Sequence, residues 1–202
     1  MKRVIFLVAT VTLGSGWLLG CKTDGTKTAA NKPASATAVK AQFDVLRDSV
    51  RVGWAQLNNL TEHKLTATEQ LLSEVKATPK LAANPARLAV LTERAATLRK
   101  LRFDQQNLGD NERLNSFDTT QDSLFSPLAR LAAPGGEAPT EKIRDLVEAM
   151  QNDDSDEIGQ RIRYDRYVKR YNNYLQLHQQ TIQDLKGPYA TLQPLPLFQL
   201  QQ

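Results

Sequence analysis

The amino-acid sequence predicts an all-α protein: an antiparallel up-and-down four-helix bundle with long first and last helices, preceded by a signal peptide and a disordered tether. Apolar side chains after residue 40 recur at steps of three and four, which is the spacing of one face of an α-helix. Pro and Gly interrupt this spacing near residues 78–85, 109 and 133–136. No segment alternates apolar and polar residues for long enough to predict a strand.

The first 20 residues have the order of a secretory signal peptide. Lys2 and Arg3 supply a cationic start, an apolar run follows, and Gly20 precedes Cys21. Because a bacterial lipoprotein peptidase accepts small and aliphatic residues before a cysteine, the Cys21 thiol is the predicted site of lipidation. An uncleaved transmembrane helix and a buried core helix are the alternatives. The run from residue 4 to 20 spans about 25 Å as a helix, slightly short of a hydrocarbon core of roughly 30 Å.

Residues 21–39 are predicted to be a lipid-anchored flexible linker, since they offer almost nothing to bury. Cys21 is the only cysteine, which excludes intrachain disulfides and a zinc site built on several thiolates. Removing residues 1–20 takes away Lys2 and Arg3, so the net charge falls from +4 to +2. That balance argues against a dedicated nucleic-acid-binding protein, which needs a concentrated basic surface.

Residues 40–202 are predicted to form the helical bundle domain. The first helix covers about 40–77 and ends before Pro79. The second begins with Asn84 as its N-cap and Pro85 in its first turn, and closes near residues 108–110. Ser116 is the predicted cap of the third helix, which Pro127 is expected to kink or interrupt.

The last helical region is expected in two pieces. Thr140 begins a capping-like turn, and the acidic stretch 152–157 is interpreted as a loop. This stretch lacks the glycine and the twelve-residue spacing of an EF-hand calcium site. The last helix is predicted over 158–185, because Lys186, Gly187 and Pro188 follow in the order of a helix end. The apolar tail 194–198 is expected to lie over the bundle.

The last helix carries the pattern that most resembles a site. Its aromatic residues follow one another at steps of three and four: Tyr164, Tyr167, Tyr171, Tyr174 and His178. The functional interpretation is a platform for a ligand or glycan made by Tyr167, Tyr171, Tyr174 and His178. The alternative is packing, because at 100° per residue the tyrosines share one stripe with Val168 and Leu175. That stripe is about 120° wide, the width of a core-facing helix surface, and favours packing.

The opposite face of this helix is basic. Residues 161–170 hold one acid, Asp165, and five cations: Arg161, Arg163, Arg166, Lys169 and Arg170. A solvated helix face explains this pattern, and so does contact with an anionic lipid surface or an acidic partner. Arg163, Arg166 and Arg170 are the candidate contact residues.

Nothing in the sequence indicates a catalytic, cofactor or metal site. There is no Gly-x-Ser-x-Gly elbow and no phosphate-cradling glycine loop, so the chain is predicted not to be an enzyme. The two histidines, His63 and His178, lie on different helices, where a bundle brings them together. Without a carboxylate partner nearby or a His-x-x-x-His repeat they predict no metal site.

Several segments resemble the LemA family in the same order along the chain. They are Val50–Leu57, Leu71–Lys76, Leu124–Leu131, Arg161–Asn172 and Pro194–Phe198. The chain departs from that family in three ways: a lipid junction instead of the usual N-terminal membrane helix, the absence of the first Tyr-Asn of the signature, and a longer acidic insertion. The resemblance implies a long-helix antiparallel bundle displayed at a membrane, and it implies no reaction.

These observations predict a lipoprotein of the bacterial cell envelope, attached to a bilayer through Cys21 and exposed outside the cytoplasm. The absence of Asp after Cys21 favours the outer membrane. The predicted function is a non-catalytic protein-interaction or scaffold module whose partner is another envelope protein. The alternative is a ligand- or glycan-binding protein that uses the Tyr/His stripe of the last helix. Cell-wall hydrolysis is a third hypothesis, and neither paired carboxylates nor metal ligands support it.

Overall fold

The computed structural model describes residues 35–136 and 138–198, and Cys21 with the predicted signal peptide lies outside these residues. The described part contains no strand, which confirms the all-α prediction. Its helices are α1 (Ala36–Ala77), α2 (Pro85–Lys100), α3 (Asn111–Ala132), α4 (Glu141–Leu177) and α5 (Gln179–Gln183), with 3₁₀ turns at Pro134–Gly136 and Gly187–Tyr189.

Helix α1 begins four residues earlier than the sequence predicted. The Ser35 hydroxyl accepts a hydrogen bond from the Ala38 N–H at 3.2 Å and caps the helix. Val39, assigned to the linker from its sequence, is 1% exposed and belongs to the core. One apolar residue in a polar stretch produces no three- and four-residue spacing, so the sequence pattern could not predict the start of α1, which depends on tertiary packing. The end at Ala77 agrees with the prediction.

Helices α1 and α4 share the principal interface and run in opposite directions. Near the start of α1, the Tyr174 hydroxyl lies 3.5 Å from the Val39 carbonyl oxygen. Near its end, Lys142 Nζ lies 2.5 Å from a carboxylate oxygen of Glu74. Gly53 permits close approach between them, because a Cβ at that position would lie 2.7 Å from Cδ2 of Tyr167.

Helix α3 continues through Pro127, so the predicted interruption there was wrong. Proline has no N–H, and the carbonyl of Ser123 four residues earlier therefore loses its helical donor. The Arg94 guanidinium of α2 donates to that carbonyl at 2.6 Å. This bond replaces the missing helical one and ties α2 to α3.

The turn between α2 and α3 lies earlier than predicted. Helix α2 ends at Lys100 instead of near residue 108, and α3 is capped by Asp110 instead of Ser116. The guanidinium of Arg113 donates to the carbonyls of Lys100 and Arg102 at 2.8 and 2.7 Å. These carbonyls, at and just beyond the end of α2, have no further helical turn to supply donors, so a distant side chain decides the boundary.

The acidic stretch 152–157 lies inside α4, so its interpretation as a loop was wrong. Asp153 and Glu157 are one turn apart and face α1, where His63 and Lys64 lie opposite them. Compensated carboxylates do not interrupt a helix as a solvated acidic run would. Helix α4 ends at Leu177 instead of residue 185, and short α5 follows it.

The C-terminal segment lies along α4, as predicted. The Asn172 side chain both donates to the Leu195 carbonyl and accepts from the Leu195 N–H, each at 2.8 Å. Phe198 is 5% exposed, and its N–H donates to the Asp165 carboxylate at 2.9 Å. Among the described residues, no helix combines the length and apolar content needed to cross a membrane.

Candidate functional site on α4

The second half of α4 carries two interleaved stripes of side chains with opposite character. The inner stripe consists of Tyr164, Tyr167, Tyr171, Tyr174 and His178. The outer stripe follows the same steps one residue earlier and consists of Arg163, Arg166, Arg170, Asn173 and Leu177. Because a helix turns 100° per residue, the stripes lie side by side: the bundle buries or half-buries the members of the inner stripe and leaves the outer stripe in solvent.

The buried members of the inner stripe are packing residues. Tyr164 and Tyr171 are 0% and 2% exposed, and their rings lie 5.5 Å from Trp54 and 5.1 Å from Phe43. Gln105 donates to the Tyr164 hydroxyl at 3.0 Å. Burial raises the pKa of Tyr164 to about 12, and it also raises the pKa of Tyr171. Both hydroxyls therefore stay protonated at neutral pH.

The other members do not line one cleft with Tyr171. Tyr174 and His178 contact each other at the end of α4, with 4.4 Å between ring centroids and an angle of 43° between the ring planes. Tyr167 is half-buried and lines a shallow groove beside α1, together with Val45 and Val52. The structure thus distributes the four predicted ligand residues over the core, the end of α4 and the α1–α4 groove.

The two histidines do not meet. His63 Nδ1 lies 2.5 Å from Asp153 Oδ2, whereas His178 lies beside Tyr174 and the start of α1. Val39, which Tyr174 approaches, is about 36 Å along α1 from His63. Within the part of the chain that the structure describes, no three His, Cys, Asp or Glu side chains are placed to hold a metal ion.

The outer stripe is cationic and solvent-exposed. Arg163, Arg166 and Arg170 are exposed together with the neighbouring Lys169. None of the four makes an ion pair with another described residue. Asp165 is the only acid from residue 158 to 177, and it is buried against the C-terminal segment, where the charge of Lys169 acts to lower its pKa. Within the described residues, Arg163, Arg166 and Arg170 therefore have no carboxylate partner.

Sequence reasoning missed a charge network within the bundle, in which buried Lys64, Glu157 and Arg161 pair with one another and with the half-exposed carboxylates of Asp118 and Asp154. Lys64 is 0% exposed; its Nζ bonds to Glu157 and lies 3.3 Å from an Asp154 oxygen. Arg161 donates to both oxygens of Asp118 at 3.0 and 2.7 Å, and also to Glu157 at 2.6 Å. The network joins α1, α3 and α4.

Opposite charges favour the ionised forms of Glu157 and Arg161 in this network. Burial alone would raise the pKa of Glu157, but the charges of Arg161 and Lys64 outweigh burial and lower it. Burial would lower the pKa of Arg161, but Asp118 and Glu157 raise it overall. Arg161, which the sequence analysis grouped with the outward basic face, therefore turns inward. The four-residue spacing of Glu157 and Arg161 was the available signal for it.

A second missed feature is a groove of about 850 Å³ between α3 and α4, next to the loop that joins them. Its lining comprises small and apolar residues with charged ones: Ala129, Arg130, Ala133, Gly135, Gly136, Ala138, Arg144, Val147, Glu148 and Gln151. Gly135 and Gly136 have φ of 70° and 90°, which glycine adopts at no steric cost. The groove depends on the spacing of two helices, so no local sequence pattern predicts it.

Comparison with known proteins gives no match: no family model, no curated protein and no solved structure matches this chain.

Proposed function

We propose that this chain is a LemA-like lipoprotein of the bacterial cell envelope, anchored to a bilayer through acylated Cys21. Its helical domain is an antiparallel up-and-down four-helix bundle that acts by non-catalytic contact with another envelope protein. The outer membrane is the favoured location. The resemblance to the LemA family supports a long-helix bundle displayed at a membrane. The residues of the bundle form the surface that contacts the partner protein.

One observation carries this proposal: the start of α1 and the α3–α4 groove lie at opposite ends of α1. The Glu74–Lys142 ion pair places the beginning of α4, and with it the groove, beside the end of α1. Helix α1 has 42 residues, so its two ends are about 63 Å apart. The end that continues toward Cys21 is thus separated from the surface that we assign to the partner.

The lining of the groove suits a polypeptide partner. Ala129, Ala133 and Ala138 allow a partner backbone to approach closely, while Arg130 and Glu148 supply charges of both signs. An extended or helical segment with small apolar side chains and mixed charge has the matching chemistry. The groove is the binding surface of the proposed module.

Metabolic labelling tests the anchor. Cells that express the chain are grown with a clickable palmitate analogue, and the protein is then recovered from the membrane fraction. We expect label on the wild-type chain and none on Cys21→Ser, which should also leave the membrane fraction. A wild-type chain that stays unlabelled and is recovered as a free soluble species contradicts the proposal.

Photocrosslinking in intact cells tests the contact function. A photoreactive residue at Ala133 reports on the groove, and the same residue at exposed Ala96 of α2 is the matched control. We expect the Ala133 probe to capture one envelope protein, identified by mass spectrometry, in a manner that depends on Cys21. Equal capture from both positions, or none at native expression, counts against a partner in the groove.

A further inference from the structure

We propose that the outer stripe of α4 lies against anionic phospholipid, so that the helical domain rests on its side along the bilayer. This inference rests on the proposed anchor and adds an orientation and a lipid preference to it. The contact surface consists of Arg163, Arg166, Lys169 and Arg170, with Leu177 at its end.

The first support is a concentration of positive charge. Other exposed cations without an ion pair, such as Lys76, Lys80, Arg87 and Lys100, are spread over residues 76–100, whereas these four lie within eight positions of one helix. Arg163, Arg166 and Arg170 make no ion pair with a described residue, and Lys169 acts on the buried Asp165 carboxylate. Anionic headgroups are the complementary charge for this concentration. Each basic side chain near an anionic leaflet favours binding by about fivefold.

The second support is the shape of the stripe. Steps of three and four place Arg163, Arg166, Arg170 and Leu177 in a straight line along α4. A straight line of cations on a helix touches a flat surface at every position.

The third support is exposed apolar surface at and beside the stripe. Leu177 is 78% exposed at its end, and Val45 and Val52 of α1 are 59% and 42% exposed next to Tyr167. Cations beside aliphatic side chains are typical of helices that lie in a membrane interface. An acidic protein surface would pair with the cations, but it would not explain why Leu177 is exposed beside them.

The fourth support is position. The Tyr174–Val39 contact places the stripe beside the start of α1, so Arg170 lies roughly 10 Å and Arg163 roughly 20 Å along the axis from Ala36. Ala36 follows Cys21 by 15 residues in the sequence. The four cations thus lie on the half of α4 that is beside the start of α1, the end from which the chain leads back to the proposed anchor.

Energy transfer to labelled lipid tests this orientation. The full chain is purified from membranes and reconstituted in vesicles of phosphatidylcholine, with or without phosphatidylglycerol, that contain an acceptor dye. A donor dye is attached through Asn173→Cys on the outer stripe, and through Thr97→Cys on α2 as the control position. We expect phosphatidylglycerol to raise transfer from position 173 more than from position 97, and high salt to abolish this difference.

Two charge variants make the test specific. Replacing Arg163, Arg166, Lys169 and Arg170 with Gln should remove the phosphatidylglycerol effect. A matched variant with the same loss of charge replaces four exposed cations elsewhere, Lys76, Lys80, Arg87 and Lys100, and should retain the effect. Equal transfer from both dye positions, no response to phosphatidylglycerol, or equal loss in both charge variants overturns the proposal. A response to poly-glutamate but not to phosphatidylglycerol also overturns it, in favour of an acidic protein.

The same samples separate this proposal from the anchor. Cys21 is the only natural cysteine, so a chain with acylated Cys21 takes up one dye and a chain with a free Cys21 thiol takes up two. Two dyes with an intact phosphatidylglycerol response would remove the anchor and support the lipid-facing stripe. One dye with no response would support the anchor and overturn the stripe.

Discussion

Helix α4 uses arginine in two opposite ways within a few residues. Arg161 is 8% exposed, with its guanidinium bonded to Asp118 and Glu157, while Arg163 and Arg166 stand in solvent without ion pairs. The difference follows from the direction in which each side chain leaves the helix. A buried charge must be paired because desolvation costs several kcal/mol, whereas an exposed charge needs no partner from its own chain. Paired arginines therefore hold this fold together, and unpaired ones are available to something outside it.

Breaking the buried pair should have the largest effect on stability. Lys64→Met leaves Glu157 buried with one cation fewer, so we expect the free energy of unfolding to fall by about 3–5 kcal/mol. Lys64→Met combined with Glu157→Met should recover a substantial part, since neither buried charge is then left alone. Urea denaturation followed by circular dichroism measures both. Losses that simply add would show that the two residues are not coupled.

The second largest expected effect is the pH dependence of stability that Glu157 causes. It cannot exceed the stabilisation that this carboxylate gains from Arg161 and Lys64. A lowered carboxyl pKa stabilises the folded state above the usual value of 4.5, and this stabilisation is lost as pH falls through the folded-state pKa. Wild-type protein should therefore lose more stability than Glu157→Gln when the pH drops below 4.5. Urea midpoints across this range measure it, and parallel curves for the two proteins would contradict the charge network.

Asp165 is a control for Glu157, because its pKa is shifted in the opposite direction. Burial raises its pKa, so it stabilises the folded state most below the usual value of 3.8, and that contribution is lost as pH rises through the folded-state pKa. Asp165→Asn should therefore make the acid loss steeper, whereas Glu157→Gln makes it shallower. If both variants shift the acid profile in the same direction, one of the two assignments is wrong.

Arg94 adds a third case to the comparison of paired and unpaired arginines, because its partner is a backbone carbonyl instead of a carboxylate. Arg94→Met should cost about 1–2 kcal/mol, since the Ser123 carbonyl has no helical donor opposite Pro127. In a Pro127→Ala background the restored N–H reclaims that carbonyl, so the same substitution should cost about 0.5 kcal/mol or less. Thermal unfolding of the four proteins measures the coupling. An equal cost in both backgrounds would show that Arg94 acts through other contacts.

The four exposed cations in the second half of α4 should contribute least to the free energy of unfolding. Replacing Arg163, Arg166, Lys169 and Arg170 with Gln should change the free energy of unfolding by no more than about 0.5 kcal/mol per site. Removal of like charges on neighbouring turns should even relieve some repulsion. A large loss in urea denaturation would place these cations among the structural residues and end the contrast with Arg161.

The sequence determined the helical class, the end of α1 at Ala77 and the course of the tail over the bundle. Each of these depends on local information: the three- and four-residue spacing of apolar side chains, the Pro79 break and the apolar run 194–198. The same spacing correctly indicated packing for Tyr164 and Tyr171. It also separated them from Arg163, Arg166 and Arg170, because one residue along a helix is a 100° change of direction.

Tertiary structure decided the local structures that depend on a polar group whose partner is distant in the sequence. Residues 152–157 are helical because Lys64 and His63 compensate their carboxylates from another helix, and Pro127 is tolerated because Arg94 reaches its orphaned carbonyl. Arg161 turned inward for the same reason. The cost of burying a charge or a carbonyl depends on what lies opposite it, and a partner 93 residues away does not change the local spacing of apolar side chains.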